Sequence, residues 1–247
     1  MDYSYINLNL ENINDEHLCC AISDKKHMNG VNKKKEWLKK RIPEGHIFRK
    51  ATVQGKVFIE YAPLEKAWVP VLGDNYLYIY CLWFSGSFKG LGYGKELLTY
   101  CINDAKEKNK SGICVLSAKK KKPFLSDKKF FMKYGFTTIE TIGEYELLAL
   151  SFDESLPLFS PSVKIGIVKD DSLTIFYDNQ CPYISHQIEE VQEYCEKENL
   201  PLTLIPIETL AQAKLLPCIF NNWAIFNNKE FKGVHLLNLS YIQKLIL

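Results

Sequence analysis

Residues 75–84 (NYLYIYCLWF) are dense in aromatic and β-branched side chains and apolar on both faces, which predicts a central strand covered from two sides. Residues 94–108 then place Leu97, Leu98, Cys101, Ile102 and Ala105 on one helical face, and residues 112–118 (GICVLSA) return as a strand. The three form a βαβ unit, so the fold must contain a parallel strand pair joined by a crossover helix. Between strand and helix lies Lys89-Gly90-Leu91-Gly92-Tyr93-Gly94-Lys95. The first N–H groups of a helix have no intrahelical acceptor and carry the positive end of the peptide dipoles, and glycines let the backbone wrap closely around an anion. A pyrophosphate suits that geometry.

Spacing separates the phosphate loops that compete for this position. A P-loop needs a glycine five residues before Gly94, where Lys89 stands, and the dinucleotide pattern GxGxxG fails at Lys95. Two helices and a hairpin also precede the strand that should open a dinucleotide fold. The pattern that remains is a basic or amide residue followed by xxGxG or xxGxA before a helix, met by Lys89, Gly92 and Gly94.

Ile6, Leu8 and Leu10 alternate as a strand does, and Asn14 is placed to cap a helix whose Leu18, Cys19, Ala21 and Ile22 share a face. Residues 31–41 read as a lysine-rich helix anchored by Trp37 and Leu38, and residues 46–53 and 56–61 flank Gln54-Gly55 as a hairpin. Downstream, residues 126–134 form a helix capped by Ser126 or Asp127 and stopped at Gly135, followed by strands over 136–142 and 144–152. The steps Leu156-Pro157 and Ser160-Pro161 interrupt any periodicity, which puts a linker at 153–171 between a domain at 1–152 and a smaller one at 172–247. A short strand over 163–168 is expected within that linker. The smaller domain shows strands over 173–177, 201–207, 218–226 and 230–234, the last two turning at Asn227-Asn228. Its helices are marked by Ile184, Ile188, Val191 and Cys195, by residues 209–214, and by a terminal segment capped by Ser240.

Thirty-one basic against 29 acidic residues leave a net charge of +2, so no whole-chain field draws nucleic acid or an anionic membrane. Only Arg41 and Arg49 offer the planar fork suited to phosphate and guanine. No apolar run approaches the length of a membrane span and the polar start, Met1 to Glu11, is no export signal, so a cytoplasmic protein is expected. Eight cysteines include no CxxC pair, and neither a zinc knuckle nor any other metal site is written locally.

The glycine loop, the element order of residues 1–152 and the phrase Phe130-Phe131-Met132-Lys133-Tyr134-Gly135-Phe136 together resemble the GNAT superfamily of acetyltransferases. The resemblance implies an α/β (α+β) fold with a mixed, splayed sheet flanked by helices, and acetyl-CoA as cosubstrate. It places the pyrophosphate on the amides of Gly90, Leu91, Gly92, Tyr93, Gly94 and Lys95, with Lys89 where the family usually has Arg or Gln. Cys81, Leu82 and Trp83, near the end of the fourth long strand, match the positions that hold the pantetheine arm. The family's phrase FYxKxGF carries a tyrosine that commonly protonates the leaving thiolate, and here that position is Phe131, whose ring has no proton to give. Tyr134, one helical turn on, is the candidate substitute. An acceptor amine must lose a proton to react, and Glu60, on the strand whose neighbours line the acceptor side in this family, is the candidate base.

Residues 173–177 running into Cys181-Pro182-Tyr183-Ile184 resemble the opening of a thioredoxin-like or glutaredoxin-like domain, with Ile184 in place of a second active cysteine. A lone Cys181 at a helix N-terminus favours thiolate and is the candidate reactive thiol. The same resemblance implies a cis bond at Leu216-Pro217 and Cys218 close to Cys181. The phrases HLCCA, GKVFIEY, AWVP, SGSFKG and FLSDKKF further resemble the YoaP-like bacterial proteins, in which an acetyltransferase precedes a short thioredoxin-like segment. The expected activity is N-acetyl transfer from acetyl-CoA to an amine of a small-molecule or peptide acceptor, with no nucleic acid or membrane partner and a homodimer left open. Two rivals stand beside it: a binding module for acyl-CoA or peptides that has lost its chemistry, and a thiol-ligand or redox sensor using Cys181 and Cys218.

Overall fold

The aromatic run becomes β5 (Tyr76–Phe84), near the middle of a seven-stranded sheet with the order β1-β2-β3-β5-β6-β8-β7. The computed structural model describes residues 3–21, 25–84, 86–122, 124–219, 222–233 and 238–246. In chain order the first elements are β1 (Tyr5–Asn7), α1 (Met28–Arg41), β2 (Ile47–Ala51), β3 (Val57–Pro63) and the two-residue β4 (Val71–Leu72). After β5 come α2 (Tyr93–Glu107), β6 (Gly112–Ala118), α3 (Lys128–Met132), β7 (Thr137–Ile142) and β8 (Tyr145–Ser151). β5 and β6 run parallel across the α2 crossover, and the other paired neighbours in this sheet are antiparallel.

Alternation along the strands sorts the two faces of the sheet. Val57, Ile59 and Tyr61 of β3 and Leu77 and Ile79 of β5 pack with Leu97, Leu98, Cys101 and Ala105 of α2 in one buried core. The Tyr61 hydroxyl donates to Asp104 Oδ2 of the same helix at 3.0 Å. Burial, helped by the nearby Asp104 carboxylate, keeps that phenol protonated far above its ordinary range.

Contacts group the described chain into two units. One comprises residues 1–23, 38–67 and 71–158, and the other comprises 24–37, 68–70 and 159–247. The second begins with β9 (Leu158–Phe159, shared at the boundary) and α4 (Pro161–Ile165), followed by β10 (Leu173–Tyr177), α5 (Ile184–Lys197), β11 (Leu202–Pro206), α6 (Leu210–Lys214), β12 (Trp223–Asn227), β13 (Glu230–Gly233) and α7 (Leu239–Ile246). Its sheet has the order β11-β10-β12-β13, with β10 parallel to β11 and antiparallel to β12. The β12–β13 turn uses left-handed Asn228 and Lys229, the backbone that a tight hairpin needs. Ile184, Ile188, Val191 and Cys195 form the buried face of α5. The start of α1 packs on α5 within this unit: Asn29 Nδ2 donates to Glu189 Oε1 at 3.1 Å, and the His27 ring meets the Tyr183 ring at 4.5 Å.

Several local expectations are corrected. Among the described residues 15–21 no α-helix forms. Asn9 and Asn12 side chains bond the amides of residues 9, 11 and 12, the Asp15 and Glu16 amides close turns on the Asn12 carbonyl, and a short 3₁₀ turn at Cys19–Ala21 stands where the helix was expected. Ile22 lies outside the described residues. Leu10 is exposed, because β1 stops at Asn7 where those turns begin. Residues 161–165 are helical rather than extended, since Pro161 presets the first turn and left-handed Gly166 ends it. Ser240 lies inside α7, whose start is bonded by Asn238 Oδ1 to the Tyr241 amide at 2.9 Å. The strand expected to begin at Cys218 begins at Trp223; residues 220 and 221 lie outside the described residues. Leu216-Pro217 is trans, as are all the described peptide bonds.

Asp127 caps α3 as expected, accepting from the Lys129 amide at 2.9 Å. Asp127→Ala should lower unfolding stability by about 1 kcal/mol, read as a shift in the urea midpoint at unchanged slope.

Candidate functional site

Helix α2 starts at a left-handed Gly92 with φ +92°, and Gly90 before it has φ +79°. The first helical hydrogen bond runs from the Glu96 amide to the Gly92 carbonyl at 3.1 Å, so the amides of Tyr93, Gly94 and Lys95 precede the intrahelical ladder. No atom lies within 4 Å of where a Cβ on Gly90 would stand, and Leu91 is 62% exposed. The loop therefore offers open backbone toward solvent. Behind it the packing is close: a Cβ on Gly94 would come within 2.3 Å of the Phe84 ring at the end of β5. Lys89 is exposed at the loop's start, while the buried Tyr93 ring packs edge-on against Phe88 at 5.6 Å.

β5 pairs with β6 only from Tyr76↔Gly112 to Ile79↔Val115. Beyond that point the parallel strands part, β6 continuing with β8 to Ala118↔Tyr145 and β5 continuing with β3 to Phe84↔Val57. Cys81, Leu82 and Trp83 lie on this separated end of β5, Trp83 with its ring exposed and the Lys56 ammonium 5.9 Å from the ring centre. A bulge starts the separation: Glu60 opposes Cys81 and Tyr61 opposes Ile79, which leaves Tyr80 as the extra residue. Glycine loop, parted strands and residues 81–83 thus lie along one continuous stretch of chain.

Glu60 faces away from α2. Glu60, the candidate base, is 0% exposed, with Oε1 3.0 Å from Nε2 of His46, itself 2% exposed. Tertiary packing on that face accounts for the burial. Phe48 of β2, opposite Glu60 in register, stacks on Phe58 at 4.9 Å, and the His46 ring lies 5.2 Å from the Tyr80 ring. The same face buries Lys50, whose Nζ is 2.6 Å from Glu16 Oε2 and 3.1 Å from His17 Nδ1. His46 was missed from the sequence, because the expected turn puts it on the wrong face. A two-residue turn at Gln54-Gly55 would set Arg49 opposite Glu60; the observed register sets Phe48 there, and that one-residue shift brings His46, two before Phe48, onto Glu60's face as its diagonal neighbour.

Phe131 is 1% exposed, in the core with Phe136 at 5.0 Å, so no hydroxyl is presented from that position. Tyr134 is half-buried just after α3 and packs on Phe130 at 5.0 Å, which in turn lies 5.7 Å from Phe84. An aromatic chain therefore links Tyr134 to the end of β5. Cys181 belongs to the second unit, at the turn into α5, where its carbonyl accepts from the Ile184 amide at 3.2 Å. Cys181 is partly exposed and Cys218 buried, and neither is in a disulfide. No group of three or more histidine, cysteine or acidic side chains that could hold a metal ion occurs among the described residues. Nor is any described helix long and apolar enough to cross a membrane.

Residues 10–136 match the Acetyltransferase (GNAT) family. The chain belongs to the GNAT acetyltransferase family. Residues 201–244 match a second family, described as YoaP-like, so a GNAT domain is joined to a YoaP-like segment in this protein. A curated relative, YoaP of Bacillus subtilis (strain 168), described as an uncharacterized N-acetyltransferase, is 38% identical over 245 residues, 98% of each chain. Among solved GNAT structures, the PaiA N-acetyltransferase of Thermoplasma acidophilum in complex with coenzyme A is similar at 18% identity, covering 62% of this chain and 100% of that one with a TM-score of 0.45. A GNAT family acetyltransferase of Brucella melitensis in complex with acetyl-CoA is similar at 13% identity, covering 64% and 94% with a TM-score of 0.41.

Proposed function

We propose that this GNAT-family enzyme transfers the acetyl group of acetyl-CoA to an amine of a small-molecule or peptide acceptor, directly, within a ternary complex. The observation that carries this reading is the open run of α2 amides beside the parted β5 and β6. Amides of residues 90–95, with Lys89 at the rim, hold the pyrophosphate through oriented dipoles. Residues 81–83 align the thioester along the separated end of β5. The acceptor nitrogen attacks the thioester carbon over the face that carries Glu60, the carbon–sulfur bond breaks, and the nitrogen's proton passes toward Glu60. Because Glu60 is buried against His46, that proton travels through a relay rather than by direct contact.

Tyr134 is the proposed donor to the departing thiolate. A thiol with pKa near 8.5 leaves without full proton transfer, so Tyr134→Phe should lower kcat only about tenfold. Unchanged turnover would remove Tyr134 from the mechanism.

Titration calorimetry with coenzyme A, followed by free-thiol release across a panel of amines, tests the whole reading. Saturable binding and acceptor-dependent thiol release are expected. The buried Phe131 favours one rival, the binding module, for which binding without thiol release on any amine would be the result. For the second unit we propose a thioredoxin-like domain at 172–247 following the acetyl-CoA domain at 1–152, a reading supported by the order β11-β10-β12-β13 with β10 parallel to β11. Cys181 is its candidate reactive thiol. Alkylation of Cys181 much faster than of Cys218 near neutral pH is expected, and equal rates would count against a thiol role.

A further inference from the structure

Glu96 lies in the first turn of α2, with Oε1 3.8 Å from where a Cβ on Gly92 would stand. A carboxylate there steadies an unliganded helix but repels an incoming diphosphate, and an acidic side chain this near a helix start can turn back onto the leading amides. Two phenols from the far end of the sequence bind it. The Tyr3 hydroxyl lies 3.0 and 2.9 Å from the two carboxylate oxygens, and the Tyr5 hydroxyl donates to Oε2 at 2.7 Å. Hydrogen bonding to Glu96 raises the Tyr3 pKa, and burial together with the same bonding raises that of Tyr5, so both remain donors.

The tyrosines are themselves braced. Tyr3 packs on Tyr93 at 4.6 Å and edge-on to Tyr5 at 5.6 Å. The Arg49 guanidinium lies 5.1 Å from the Tyr5 ring and 3.8 Å from the Tyr100 ring, with Nη1 donating to Asn7 Oδ1 at 2.9 Å. Asn7 Nδ2 donates in turn to the Tyr100 hydroxyl at 2.9 Å. The start of the chain is thereby fastened to α2 at two successive turns.

We propose that Tyr3 and Tyr5 are positioning residues for coenzyme A: they hold the Glu96 carboxylate off the leading amides of α2, where it would otherwise compete with the diphosphate as an internal anion. This rests on the coenzyme A reading of the loop. Full-length protein titrated with coenzyme A provides the test. Y3F/Y5F should weaken binding by about threefold to tenfold, because the freed carboxylate can then reach the amides. E96Q should tighten binding by about twofold to fivefold. The triple variant should bind as E96Q does.

A clasp that served only to fix β1 on α2 would give the opposite sign for E96Q, since losing the charge weakens the bonds that hold the clasp. Binding by E96Q that is equal to or weaker than wild type, or a triple variant as weak as Y3F/Y5F, overturns the proposal. If Y3F/Y5F does not fold, Y3F and Y5F taken singly replace it: each should weaken binding, and wild-type affinity in both overturns the proposal. Wild-type protein that fails to bind coenzyme A refutes the loop reading before any variant is compared, and the inference falls with it.

Discussion

Glu60→Gln should reduce kcat by about 10²- to 10⁴-fold while leaving coenzyme A affinity unchanged, because the amide keeps the buried shape and a hydrogen bond to His46 but cannot take up a proton. The acceptor used is whichever amine supports thiol release. Glu60→Ala is the contrasting variant. It removes the buried carboxylate 3.0 Å from His46 and should lower stability by about 1–3 kcal/mol, so a loss of activity there would mix folding with chemistry. Glutamine keeps the two apart, provided its melting temperature stays close to wild type. If Glu60→Gln turns over at the wild-type rate, the proton of the acceptor amine leaves by another route and the base assignment is withdrawn.

Gly92→Val is expected to weaken coenzyme A binding by about 10- to 100-fold, since a β-branched residue resists φ +92° and would rotate the leading amides of α2 away from the diphosphate. Space is not the obstacle, because the nearest atom to an added Cβ is Glu96 Oε1 at 3.8 Å, and the fold should tolerate the change. Gly94→Ala separates shape from conformation at the same loop. Its methyl group would meet the Phe84 ring at 2.3 Å, so the cost there falls on stability as the β5 end and α2 are pushed apart. Calorimetric titration beside thermal melting distinguishes the two. Wild-type affinity in Gly92→Val would mean that coenzyme A does not use these amides.

What could be read in advance was whatever depended on neighbours in the chain. The glycine loop, the α2 stripe and the β5 run are local patterns, and from them the crossover and the left-handed glycine turn at the start of α2 follow. The His46–Glu60 pair required knowing how β2 registers on β3, and the turn expected at Gln54-Gly55 gives a register one residue away, with His46 on the opposite face. The binding of Tyr3 and Tyr5 to Glu96 spans more than ninety residues and leaves no local trace. The helix expected after Asn14 shows a different failure: its apolar spacing was helical, but the amides of Asp15 and Glu16 turn back onto the Asn12 carbonyl and only a 3₁₀ turn forms at Cys19–Ala21. Asn238, two residues before Ser240, likewise provides the oxygen at the start of α7.

Dissecting this protein into fragments meets a constraint from the way its second unit is assembled. A piece cut at residue 159 lacks residues 24–37, and with them the helical turn whose Gly30 lies so close to the Pro182 carbonyl that a single methyl group there would collide with it. Such a piece would leave the start of α5, around Cys181, stripped of His27 and Asn29 and newly wetted. Any behaviour of Cys181 measured on it would belong to a surface that the intact polypeptide never presents, so its chemistry has to be studied with both ends of the chain in place.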